Sequence, residues 1–221
     1  MDDTQKITRS ILRSHRAIQI VDEAQRALKK EAERRLAFYN SQEIEEDKRE
    51  FINGEIVVQS PAKRRHLSAT KRIFRLIDSY VERHELGEVH VEKALIRLTR
   101  NDFEPDVCFF KSDKVTEFDD DISLFPPPDL AVEILSRKTA HRDRGIKYQD
   151  YALHGVQEYW IIDPKAETIE QYLLKGEQYD LHFKSSKGEV ECQVIEGLTF
   201  PVAAIFDDAA NREAVRQLRQ A

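Results

Sequence analysis

Cysteine, glycine, proline and tryptophan are scarce in this 221-residue chain, which has two Cys, seven Gly, seven Pro and one Trp. Cys108 and Cys192 form no CxxC pair and cannot by themselves build a zinc site or a disulfide framework, so both read as reduced structural thiols. The shortage of Gly and Pro excludes a collagen-like repeat and a long low-complexity linker. No apolar run is long enough for a membrane span. The first residues carry charges where a signal peptide needs an apolar stretch, so the expected compartment is the cytoplasm. An excess of basic charge is missing too. The 35 Lys and Arg stand against 41 Asp and Glu, a net charge of −6, which argues against a passive polyanion binder and leaves room only for a local basic face. GxSxG, HExxH, Walker and GxGxxG patterns are absent, and the seven His are scattered without metal-ligand spacing.

What the chain has in plenty is charge of both signs. Charged residues make up 34% of it, against roughly 25% in an average domain. With 40% hydrophobic residues, the chain reads as a globular protein with an ionic surface. From Ile11 to Tyr39 there is no Gly or Pro, and Ile11, Ile18, Val21, Leu28 and Ala32 recur near helical spacing. One long amphipathic helix is therefore predicted. Ser14, Gln25 and Arg35 interrupt any regular heptad. A lone helix of this polarity is marginal in water, so the stripe is expected to pack on its own domain or to serve as a homodimerisation arm.

After the charged stretch Glu43–Glu50 the pattern changes. Asn53-Gly54 predicts a hairpin turn into a strand at Glu55–Val58, followed by a helix over 65–84 with Leu67, Ile73, Phe74, Leu76, Ile77 and Tyr80 on its apolar face. Strands are predicted at Val89–Ile96, Asp106–Phe110 and Leu130–Leu135, and a helix at Thr139–His154 closed by Gly155. Tyr159–Ile162 and Thr168–Leu174 form a predicted hairpin, with further strands at Tyr179–Phe183 and Glu189–Ile195. This alternation implies a mixed-sheet α/β or α+β domain, with an α/β fold of a mixed sheet flanked by helices as the expected architecture. The expected division is an N-terminal helical extension at 1–50, a domain at 51–207 and a C-terminal tail at 208–221.

Two carboxylates stand out. The run Leu130–Leu135 is apolar on both faces apart from Glu133, which marks an interior strand with an acid set into it. Asp106 opens the apolar strand that follows Pro105. Removing an ionised carboxylate from water costs several kcal/mol unless a cation, metal or donor compensates. Period-two geometry puts Asp106, Cys108 and Phe110 on one side of their strand, and Ala131, Glu133 and Leu135 on one side of theirs. If the strands are neighbours, both carboxylates can point at one metal ion. Asp143, Lys147 and Tyr151, at i, i+4 and i+8, share one helical face just beyond the Glu133 strand. Basic runs at Lys63–Arg65 with Lys71, Arg72 and Arg75, and at Arg137-Lys138 with His141, Arg142, Arg144 and Lys147, flank the carboxylate strands. They read as solvated helix faces or as phosphate holders. His66 reads as a helix-terminal group and Trp160 as core.

The order Asn53-Gly54 to Ile56, Ser60-Pro61, Pro105-Asp106, Pro128 to Ser136, Asp143, Lys147, Tyr151 and Gly155 to Pro164 resembles the Uma-type endonuclease family of the PD-(D/E)XK nuclease superfamily. The resemblance covers roughly residues 51–206. It implies a restriction-endonuclease-like fold and a metal-dependent phosphodiesterase site acting on nucleic acid, DNA by expectation. In that pattern Asp106 matches the Asp of the PD motif and Glu133 the acid of the (D/E)XK strand. The Lys due two residues after Glu133 is replaced by Leu135, and Lys147 is the candidate migrated equivalent. Glu55 matches an early Glu of the family. Asp106 and Glu133 are oxygen ligands suited to Mg2+ or Mn2+, and Lys147 could orient water or stabilise developing charge. On this reading Lys147→Met removes a charge with little effect on stability. The rival readings are a catalytically silent binding or interaction module on the same fold, and a hydrolase of nucleotides or small phosphodiesters.

Overall fold

The protein is described here by a computed structural model covering residues 3–42 and 48–220; residues 43–47 of the charged stretch, like residues 1, 2 and 221, lie outside the described residues. In chain order the elements begin with helices α1 (Asp3–Leu12) and α2 (Ala17–Gln42), then the hairpin β1 (Arg49–Ile52) and β2 (Glu55–Val58), and helix α3 (Arg64–His84). Strands β3 (Gly87–Val91), β4 (Leu95–Arg97), β5 (Asp102–Phe103) and β6 (Val107–Lys111) follow, then α4 (Ser112–Val115), β7 (Leu124–Phe125) and β8 (Leu130–Ile134). Helices α5 (Ala140–Asp143) and α6 (Ile146–Leu153) lead to β9 (Glu158–Asp163), β10 (Thr168–Lys175) and β11 (Gln178–Ser185). The chain closes with β12 (Glu189–Glu191), β13 (Thr199–Pro201), α7 (Ala203–Phe206) and α8 (Asp208–Leu218).

A six-stranded sheet in the order β11-β10-β9-β8-β6-β3 forms the centre. Its β8/β9 pair is parallel and its other pairs are antiparallel. A parallel step needs a crossover, and α5 with α6 supplies it. Side-chain alternation sends Val107, Phe109, Leu130, Val132, Trp160 and Ile162 to a core shared with α3, α7 and α8. Cys108, Phe110, Ala131, Tyr159 and Ile161 go to the other face, against Tyr151 and Ala152 of α6 and Ile52, Ile96 and Phe103 of a second sheet. That second sheet has the order β2-β1-β5-β4-β7. Helix α3 forms because Ala69, Ile73, Leu76, Ile77 and Tyr80 bury one face at helical spacing. It ends where Glu85 turns left-handed and its N–H caps Val81 and Glu82. The β1–β2 turn is the expected two-residue one, with Asn53 at φ 51° and Gly54 at φ 83°.

Several expectations need correction. The predicted helix over 11–39 is two, α1 and α2, separated at residues 13–16. Among the described residues the second half of α2 holds the anchors to the body, where Phe38 is fully buried against Phe51 and Arg35 pairs with Asp102. Ile18 and Leu28 of the stripe stay exposed. The predicted strand 89–96 splits into β3 and β4 in different sheets, because Glu92 and Lys93 both turn left-handed. The predicted helix 139–154 breaks at Gly145, where a Cβ would meet the His141 carbonyl oxygen at 2.7 Å. The strand over 189–195 stops at Glu191, since the N–H groups of Gln193 and Val194 turn to the Glu158 carboxylate. Within the expected C-terminal tail, Asp208–Leu218 forms α8, capped by Asp207 and packed on α3 through Ala214, Val215 and Leu218. Cys108 and Cys192 are buried and unpaired. No helix of the described residues is long and apolar enough to cross a membrane.

Candidate active site

The site grows from strand ends. β6 and β8 pair antiparallel with Val107 opposite Val132, so continuing the register by one residue sets Asp106 opposite Glu133 on the same sheet face. Both are buried. The Asp106 carboxylate accepts the Ile134 N–H at 2.8 Å, which ties it to β8. Its other oxygen lies 3.0 Å from Lys48 Nζ and 3.3 Å from His66 Nε2. Lys48 sits just before β1, and His66 is in the first turn of α3. Glu133 meets the crossover: Lys147 Nζ donates to Glu133 Oε1 at 2.9 Å, and the Tyr151 hydroxyl donates to the same oxygen at 3.4 Å. The i, i+4, i+8 face of Asp143, Lys147 and Tyr151 thus turns inward, although a helix break separates Asp143 from the other two.

Glu50 of β1, fully buried, completes the cluster at 2.6 Å from Lys147 Nζ, and Asp143 lies 3.8 Å from the same ammonium. The Glu104 N–H donates to Glu50 Oε1 at 3.2 Å, bringing a fifth buried carboxylate beside the group. Glu55, the early acid expected from the resemblance, opens β2 on an exposed edge opposite Ile52 and is not among the groups gathered here. Glu50 stands in the cluster instead. Its signal was faint: it closes a charged run, and only the buried β1 pairing fixes its direction. Lys48 and His66 were missed because their partner, Asp106, is distant in sequence.

The electrostatics follow from five carboxylates facing Lys48, Lys147, His66 and, beside Glu104, Lys93. Burial works to raise Asp106, but the Lys48 ammonium, His66 and the Ile134 N–H together outweigh it and hold its carboxyl well below the usual range. Burial pushes Glu133 well above that range, with Asp143, Asp106 and Glu50 adding to the effect and Lys147 opposing it. Burial disfavours the Lys147 ammonium, yet Glu133, Glu50 and Asp143 outweigh it and hold Lys147 charged. The two shifts describe one coupled unit. Because three carboxylates share one ammonium in a dry pocket, the existing proton stays on Lys147 and the next one taken up goes to Glu133. Burial also raises Glu104 to about 7.

The donor chemistry suits a hard divalent cation, because the acids offer oxygen only. Glu50 Oε2 and Glu104 Oε2 are buried and accept no hydrogen bond, which leaves carboxylate lone pairs inside the cluster open to a cation. Among the described residues no three His, Cys, Asp or Glu are gathered so as to hold a metal ion; the Lys147 and Lys48 ammoniums stand among the carboxylates.

Comparison with known proteins bears on the fold and the family. No curated protein matches the chain. A crystal structure of a putative nuclease belonging to DUF820 from Anabaena variabilis superposes with a TM-score of 0.63 at 19% identity, covering 72% of this chain and 89% of that one. At that identity the likeness establishes the fold. Residues 35–203 match the Uma2 family, described as "Putative restriction endonuclease". That span takes in the anchored end of α2, the five- and six-stranded sheets, the β12–β13 pair and every member of the carboxylate–lysine cluster, and the chain belongs to the Uma2 family.

Proposed function

We propose that the protein is a metal-dependent endonuclease that hydrolyses phosphodiester bonds of DNA in the cytoplasm, with Asp106 and Glu133 as ligands of Mg2+ or Mn2+. The observation that carries this reading is the juxtaposition of Asp106 and Glu133 across two buried strands, with the Lys147 ammonium 2.9 Å from Glu133. When bound, the ion would polarise the scissile phosphate and lower the pKa of an attacking water. The remaining work falls to the chain. Lys48, His66 and the Ile134 N–H fix the orientation of Asp106. Tyr151 steadies Glu133, and Glu50 and Asp143 keep Lys147 charged. From that position Lys147 donates hydrogen bonds to the charge that develops on the phosphoryl oxygens. This is the part that Leu135, two residues after Glu133, cannot play.

The two lysines already offset part of the charge that a metal would offset, and this favours a second reading in which the fold binds nucleic acid or protein without turnover. Nicking of supercoiled plasmid by the full chain in Mg2+ and Mn2+, with EDTA and Glu133→Ala as controls, separates the two. The nuclease reading expects nicking that disappears in EDTA and in the variant. Silence under every metal supports the silent module.

A further inference from the structure

From Val57 to Ile77 there is no acidic residue, while Lys63, Arg64, Arg65, Lys71, Arg72 and Arg75 crowd the same stretch, in a chain whose net charge is −6. The first turn of α3 carries Arg64 and Arg65, has no acid, and lacks a side-chain cap at Lys63. Cations there oppose the positive end of the helix dipole, so the arrangement works against the helix itself. The second basic run, Arg137-Lys138, leaves β8 three residues beyond Ile134. The two runs converge. Lys138 Nζ donates to Ser60 Oγ at 3.0 Å, joining the loop before α3 to the loop after β8. His66, one residue beyond Arg65, reaches Asp106, whose other oxygen holds the Ile134 N–H. Lys63, Arg64, Arg65, Arg137 and Lys138 are exposed, and among the described residues none of them pairs with a carboxylate.

We propose that these five side chains form a docking strip for the sugar-phosphate backbone of duplex DNA, laid along the rim of the Asp106–Glu133 pocket. The inference rests on the nuclease reading for its partner but concerns a surface outside the carboxylate cluster. Exposed cations without carboxylate partners on two joined loops suit a row of phosphates, because each contact releases condensed counterions and needs no base recognition. It also accounts for Arg64 and Arg65 at the wrong end of a helix dipole. A bound phosphate would reverse the sign of that interaction.

The test is binding of a fluorescent 20-base-pair duplex to the full chain in EDTA, followed by anisotropy across a salt series. The quadruple variant Lys63→Gln, Arg64→Gln, Arg65→Gln, Lys138→Gln is compared with a control that loses four exposed cations elsewhere, at Arg16, Lys29, Lys30 and Lys175. The strip variant should bind at least about tenfold more weakly at moderate salt. Its slope of log K against log salt should fall by up to about 3.6, from roughly 0.9 per phosphate contact. Its thermal midpoint should be unchanged or raised, since the helix sheds unfavourable charges. The control should bind like the parent. Equal affinity and slope in the strip variant and the parent would overturn the proposal, as would a single-stranded RNA competitor that displaces the duplex at a tenth of its concentration. Plasmid nicking by the parent is scored separately. Loss of binding in the strip variant with no nicking by the parent keeps the strip and removes the nuclease. Nicking by the parent with undiminished binding by the variant does the reverse.

Discussion

Lys147→Met keeps most of the side-chain stem and removes the charge, and the structure reverses the expectation that stability would be untouched. The ammonium is almost fully buried, 2.6 Å from Glu50 and 2.9 Å from Glu133. At an effective dielectric constant of about 20, each contact is worth roughly 6 kcal/mol of gross attraction. Desolvation of the ions takes back much of this, and removing one partner of a buried pair costs about 3–5 kcal/mol because the other charges are stranded. For a chain of this size, about 2–4 °C per kcal/mol gives a fall in thermal midpoint on the order of 10 °C at pH 7. Because the damage is stranded carboxylate charge, adding Glu133→Gln to Lys147→Met should recover part of it. Urea unfolding of the parent, both single variants and the double variant at pH 7 reads these values directly. A Lys147→Met protein as stable as the parent, or a double variant no better than Lys147→Met, would refute the charge assignment. If the protein cleaves, the same variant at a temperature where it remains folded should cleave on the order of a hundredfold more slowly.

Glu104 is raised to about 7, so its protonated form favours the fold and that contribution is lost as pH rises through about 7. Glu104→Gln should therefore have a higher thermal midpoint than the parent at pH 8 and a similar one at pH 5; an equal gap at both would contradict the assignment. Glu170 behaves oppositely: although burial works to raise it, hydrogen bonds from Arg144, Tyr172 and Lys184 hold it at about 2. Its contribution is present above its ordinary value near 4.5 and fades as pH falls toward about 2, so Glu170→Gln should flatten acid unfolding in that window, and an unaltered acid curve would count against it. Deleting residues 1–30, which spares Phe38, Arg35 and Glu31, should convert a dimer to a monomer in sedimentation while leaving the thermal midpoint close to the parent's. A parent that sediments as a monomer would remove the homodimerisation role expected of the N-terminal helices.

The candidate site was legible where strand periodicity alone fixes direction. Asp106 and Glu133 each interrupt an apolar run, and alternation sets both on one face once β6 and β8 pair. The direction of Lys147 followed from its spacing to Asp143 and Tyr151, although the spacing concealed the break at Gly145. Glu50 escaped because its burial depends on β1 lying between β2 and β5, a pairing that local sequence does not encode. Lys48 and His66 were hidden for the same reason, since each meets Asp106 across a long sequence gap. In α2, hydrophobic periodicity located a helix but not which half of it would be anchored. That depends on Phe38 and on the Arg35 pair with Asp102, a contact between residues far apart in the chain.

Whether Asp106 and Glu133 hold a divalent cation is read from an anomalous difference map of crystals soaked in millimolar Mn2+. A single strong peak is expected, with oxygens of both Asp106 and Glu133 at about 2.0–2.3 Å, and it should be lost in Glu133→Gln crystals. A map with no peak between those two carboxylates, and with Lys147 still bridging Glu50 and Glu133, would contradict that reading.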